Sequence, residues 1–113
     1  MATITTPEPF HAISTVAVKP EHAAELTKHW DELCQIVRDK EPDCLTYMWF
    51  KVEGKDEYVW VEKFRTRAAY DAHVSSPHVA ESFGKWRHLL HGDFVFQRSE
   101  SGTVGGWQES ESA

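Results

Sequence analysis

Two runs of aromatic and β-branched residues, "CLTYMWFKVE" and "EYVWVEKFR", flank the short polar break "GKD". Such runs favour extended backbone, and a short break lets the second return beside the first, so residues 44–53 and 57–65 are expected to pair as an antiparallel hairpin. Side chains alternate across a strand. In the second run Tyr58, Trp60, Glu62 and Phe64 therefore share one face, and Val59, Val61, Lys63 and Arg65 the other. Both faces carry apolar residues. Such a sheet needs cover on both sides: helices on one, and on the other a second sheet, most simply from another copy of the chain related by a two-fold axis.

The flanking segments supply the remaining elements. Around "HAISTVAV", residues 10–18 read as a first strand that stops before Pro20. Pro20 opens a helix in which Leu26, Trp30, Leu33 and Val37 recur every three or four residues, the spacing of one buried face. Acids begin this helix and bases end it, matching its dipole. "EPDC" stops it, because the residue before a proline disfavours helical geometry. Residues 67–74 and 77–90 read as helical, the second with Pro77 in its first turn behind the capping hydroxyl of Ser76, burying Val79, Phe83, Trp86 and Leu90. "GDFVFQR" is a last strand. The order predicts a ferredoxin-like βαββαβ sandwich, an antiparallel sheet with helices on one face. Residues 1–9 are expected to be a flexible segment, residues 10–98 the domain, and residues 99–113, rich in Ser, Gly and Glu around Trp107, a flexible tail.

The formal charge of -6 argues against a nucleic-acid or anionic-membrane surface. No apolar stretch approaches the roughly 20 residues of a membrane helix. Cys34 and Cys44 make neither a CxxC pair nor a dense disulfide framework, and no charged segment followed by an apolar run opens the chain, so a cytoplasmic location is expected. His22 and His29 lie too far apart for a metal pair, and no metal is expected. His88 and His91 suit the C-terminal end of the last helix.

Three segments, "EPDCLTY", "VEKF" and "YDAHVSSPH", together resemble the antibiotic biosynthesis monooxygenase family of dimeric α+β barrels. Its members commonly show Glu-Pro-Gly-Cys-Leu-x-Tyr, then Glu-x-Trp or Glu-x-Phe, then His followed by Ser-Pro-His. The resemblance spans residues 10 to about 98 and implies a homodimer forming an α+β barrel, with a pocket between sheet and helices of each protomer. Similar chains include cofactor-free oxygenases of phenolic polyketides, heme-degrading enzymes and an isomerase of a sugar-derived signal. Members that oxygenate anthrones carry an Asn and a Trp on the third strand, a Tyr on the next helix and an Arg on the last helix. On this chain those positions fall at Trp60, Phe64, Tyr70 and Phe83, and only the tyrosine coincides. The iron-ligating His of heme-degrading members falls at Phe83, and their first-strand Asn has no counterpart in "HAISTVAV", so heme is not expected.

The chain's own spacing describes a pocket. If the face carrying Trp60, Glu62 and Phe64 looks at the helices, it meets Tyr70, Val79, Phe83 and Trp86 in an aromatic hollow with one carboxylate, suited to a flat, mostly apolar ligand. Burial should raise the Glu62 pKa unless a cation pairs with it. His73, one helical turn from Tyr70, can face the same place, and a carboxylate opposite an imidazole can deprotonate a phenol or an activated carbon. In this reading His73, oriented by Glu62, is the base and Tyr70 donates to the developing oxyanion. Trp60, Phe64, Phe83 and Trp86, with Tyr47 and His78, contact the substrate. The carbanion then reacts directly with dioxygen, with no cofactor. The same base without dioxygen gives isomerisation, decarboxylation or ring closure, and a pocket that only binds a hydrophobic metabolite is a third outcome. Glu62 and His73 could instead serve to tie helix to sheet, since buried polar groups need partners in any case.

Overall fold

The computed structural model describes residues 8–107. Residues 1–7 and 108–113, which belong to the terminal segments expected to be flexible, lie outside them. The chain runs through β1 (Phe10–Ala17), a 3-10 turn at Pro20–His22, α1 (Ala23–Lys40), β2 (Cys44–Lys51), β3 (Glu57–Phe64), α2 (Arg67–Val74), α3 (Pro77–Trp86), a second 3-10 turn at Arg87–Leu89, and β4 (Val95–Arg98). The strands form one sheet in the order β2-β3-β1-β4, with every neighbouring pair antiparallel. This is the ferredoxin-like arrangement that the order of elements predicts. Gly54 turns the hairpin with φ of 74°, a conformation that costs glycine little.

One face of the sheet carries the helices. Leu26, Trp30, Leu33 and Val37 of α1 are all buried, as their spacing requires. Trp30 packs edge-on against Tyr58, Trp60 and Trp86 at centroid distances of 5.5, 5.3 and 5.9 Å, a geometry that aromatic quadrupoles favour. A smaller cluster of Phe10, Ala12, Phe64 and Tyr70 seats α2 on the sheet.

Two expectations for α3 are corrected. Trp86 is buried as expected and Val79 and Leu90 are partly buried against the core, but Ser82 and Leu89 are the other fully covered positions and Phe83 is not. Ser82 tolerates burial because its hydroxyl accepts the Trp86 indole N–H at 3.0 Å. Phe83 is 38% exposed and stands edge-on to Trp86. Ser76 occupies the cap position, yet its hydroxyl turns back to donate to the His73 carbonyl at 2.7 Å and does not cap α3.

Among the described residues, no helix lies over the opposite sheet face. Ile13, Met48, Phe50 and Val95 are exposed there, and the registers set Val61 opposite Ile13 and Met48, with Val59 opposite Phe50. No helix among the described residues is long and apolar enough to cross a membrane. Beyond β4, Ser99 continues the pairing through its N–H to the His11 carbonyl, and Trp107 is 92% exposed.

Candidate functional site

Strand alternation turns Glu62 toward the helices between Ala12 of β1 and Tyr47 of β2. There it borders a hollow of about 400 Å³ between sheet and helices, walled chiefly by Tyr47, Trp60, Tyr70, Phe83, Trp86 and Phe96. Ser14, Leu33, Val74, Val79, Asp93 and Phe94 also line it. Large flat rings with few polar groups define a space that suits an aromatic molecule.

The helix carrying Tyr70 and His73 is fixed at its start, where the Thr66 hydroxyl accepts the Ala69 N–H at 3.1 Å. Three residues apart, Tyr70 and His73 project from one side of α2 and are both buried against the sheet. His73 Nε2 lies 3.6 Å from Glu62 Oε1. That is beyond hydrogen-bond length, and among the described residues Oε1 has no hydrogen-bond partner.

The orienting carboxylate of His73 is Glu41 and not Glu62. The two Glu41 oxygens sit 2.9 and 3.0 Å from His73 Nδ1. An ionised carboxylate can only accept, so the imidazole proton is on Nδ1 and Nε2 presents a lone pair toward Glu62. Glu41 Oε2 also meets His78 Nε2 at 2.5 Å. His78 thus faces Glu41 and does not line the aromatic hollow.

Burial sets the protonation of the central pair. Removal from water, with the Glu41 charge adding to it and Arg98 partly opposing it, pushes the Glu62 carboxyl up to about 7. Burial also lowers the pKa of His73, against the pull of its hydrogen bond to Glu41. Both effects favour an uncharged acid beside an uncharged imidazole. The Tyr47 hydroxyl is held well above its ordinary value, first by burial and then by the nearby Glu62.

Seven of the nine expected site residues line the hollow: Tyr47, Trp60, Glu62, Tyr70, His73, Phe83 and Trp86. Phe64 lies beneath it. Fully buried, it packs under Tyr70 and His73 at centroid distances of 5.4 and 5.1 Å and supports the wall without forming it. Two residues not anticipated complete the arrangement. One is Glu41, whose segment "EPDC" signals only a helix stop. The other is Arg98 on β4, whose Nε donates to the Tyr70 hydroxyl at 2.8 Å and whose guanidinium covers the Tyr70 and Phe96 rings. Alternation along β4 puts Phe96 and Arg98 on one face, but only the register with β1 tells which.

The fold recurs among solved structures. A Caulobacter crescentus CB15 protein, described provisionally as an antibiotic biosynthesis monooxygenase, superposes with a TM-score of 0.79 at 21% identity, covering 85% of this chain and 92% of that one. Rv0793 from Mycobacterium tuberculosis matches with a TM-score of 0.73 at 22% identity over 92% of this chain and 100% of its own. PA3566 from Pseudomonas aeruginosa gives 0.71 at 22% identity over 83% and 94%. No curated protein matches the chain in sequence. The profile of the antibiotic biosynthesis monooxygenase family matches residues 9–85, a span that contains Glu41, Glu62, Tyr70, His73 and His78. The chain belongs to the antibiotic biosynthesis monooxygenase family.

Proposed function

We propose that the protein is a cofactor-independent monooxygenase acting on a phenolic or polycyclic aromatic metabolite of the polyketide type. The observation that carries this reading is the Glu62–His73 pair, buried at the foot of an aromatic hollow with the carboxyl near 7. A group of that strength is matched to proton abstraction at neutral pH. Above pH 7 the pair consists of a carboxylate and a neutral imidazole, and it takes one proton from an acidic C–H or phenol. Oε1 and Nε2 then close on the shared proton. Tyr70, polarised by Arg98, donates to the oxyanion that develops on the substrate.

The resulting carbanion supplies the electrons. It forms a C–O bond with dioxygen, and the peroxide takes up a proton. Loss of the second C–H proton with cleavage of the O–O bond then gives a carbonyl and water. The aromatic walls keep solvent from quenching the carbanion. The active form is a homodimer in a cytoplasmic setting, the uncovered sheet faces of two copies packing together.

A second reading keeps the base and omits dioxygen: isomerisation, decarboxylation or ring closure of a similar substrate. It is favoured by Trp60 and Phe83, apolar side chains at the positions where the resemblance to anthrone oxygenases calls for an amide and a cation. Oxygen uptake with anthrones, hydroquinones and naphthols separates the two. Uptake matching substrate loss, and falling by about 10²–10⁴ in both His73→Ala and Glu62→Gln, is the expected result. Substrate loss without uptake selects the second reading. Tight binding without turnover would leave only a binding protein.

A further inference from the structure

His73 separates two cavities. Its ring lines the aromatic hollow and also a recess of about 280 Å³ bordered by Lys40, Glu41, Asp43, Cys44 and His78, and among the described residues no other belongs to both walls. A proton abstracted in the hollow has a poor exit past Trp60, Phe83 and Trp86 once a flat ligand fills the space. Behind the ring, however, the path is polar. Nδ1 contacts Glu41, Glu41 contacts His78, and the His78 side chain is partly exposed beside the recess. One carboxylate would be enough to fix the His73 tautomer. The second imidazole on the same carboxylate adds nothing to that task.

We infer that Glu41 and His78 form a proton relay that carries the proton abstracted in the hollow through His73 to solvent in the recess. The inference rests on the deprotonation proposed above. A proton arriving at His73 Nε2 releases the one on Nδ1 to the Glu41 carboxylate. Glu41 takes it up while His78, doubly protonated with its Nε2–H directed at Glu41, gives its Nδ1 proton to water in the recess. One proton enters, one leaves, and no electrons move. His73 is left in its other tautomer, Glu41 protonated and His78 neutral, and return of a proton along the same path to the oxygenated product restores all three. The other charged and titratable groups facing the path are Lys40, Asp43 and Cys44 at the recess, and Tyr47 and Arg98 on the side of Glu62.

Glu41 and His78 act through His73, so the test must separate proton release from proton abstraction. Anthrone is mixed with the protein without oxygen in weak buffer, the anthrone anion being followed by its absorbance and the released proton by an indicator dye. In His78→Ala the first anion forms in the site as in the wild type, while the proton reaches the dye roughly tenfold or more slowly. Free imidazole restores release in His78→Ala, which a merely structural role would not allow. Should His78→Ala fail to fold, His78→Gln, whose amide can still reach Glu41 but has no proton to release, takes its place. Release at the wild-type rate in His78→Ala overturns the relay and leaves the deprotonation standing. A wild-type protein that never forms the anion overturns both.

Discussion

Glu62 ties the stability of the molecule to the chemistry of its hollow. An ordinary carboxyl of this kind titrates at 4.5, whereas in the fold Glu62 holds its proton up to about 7. Folding therefore takes up a proton between these values. The contribution of this group to stability is fully present below 4.5 and is lost as pH rises through 7. His73 has the opposite sign: its folded pKa is lowered from 6.5, so its contribution is present above that value and is lost on acidification. Urea denaturation across this range tests the first term. Glu62→Gln should gain on the wild type as pH rises, by up to about 3 kcal/mol above pH 8, since one pK unit is worth about 1.4 kcal/mol. A stability difference that does not change with pH would mean that the Glu62 carboxyl is not held protonated by the fold.

At this scale the sequence is readable where a local period governs. Alternation alone puts Trp60 and Glu62 on one strand face, and helical spacing puts Tyr70 and His73 on one side of α2. The partner of His73 is different: Glu41 stands 32 residues away, and no spacing rule connects them. Its neighbour Pro42 so fully accounts for the end of α1 that the carboxylate before it carries no further local signal.

Among the α-helices, α2 is the shortest, and it carries two residues of the proposed site. Its eight residues hold Tyr70 and His73, and a helix so short depends on its cap and its packing. Thr66→Ala removes the hydroxyl that accepts the Ala69 N–H and should cost about 1 kcal/mol by denaturation. Amide exchange should quicken in residues 67–74 before it does in α1. Uniform exchange across both helices would mean that the cap does not hold α2 in particular. The periodicity of α1 identifies its buried face correctly, because one amphipathic stripe meets one sheet. For α3 it places Trp86 correctly but misses at Phe83. There the Ser82–Trp86 hydrogen bond lets a polar residue turn inward, and Phe83 is left at the mouth of the hollow. Patterns of apolar residues do not register a serine made satisfied by an indole.

On the scale of the whole molecule, the face away from the helices predicts a state of assembly. Val61 stands at its middle, opposite Ile13 on one side and Met48 on the other, while Phe50 and Val95 extend the apolar surface toward both edges. A patch of this kind on a small domain favours association, and a two-fold contact would cover it on both copies at once. Wild-type protein is expected to sediment as a dimer at micromolar concentration, and Val61→Glu as a monomer. Because Val61 and Glu62 point to opposite sides of β3, the variant should keep its far-ultraviolet circular dichroism and the raised titration of Glu62. A wild-type monomer, or a Val61→Glu protein that still dimerises, would mean that this face is not the interface. Loss of the hollow's titration in a folded monomer would instead show that the partner shapes the site through the sheet, coupling assembly to the protonation of Glu62.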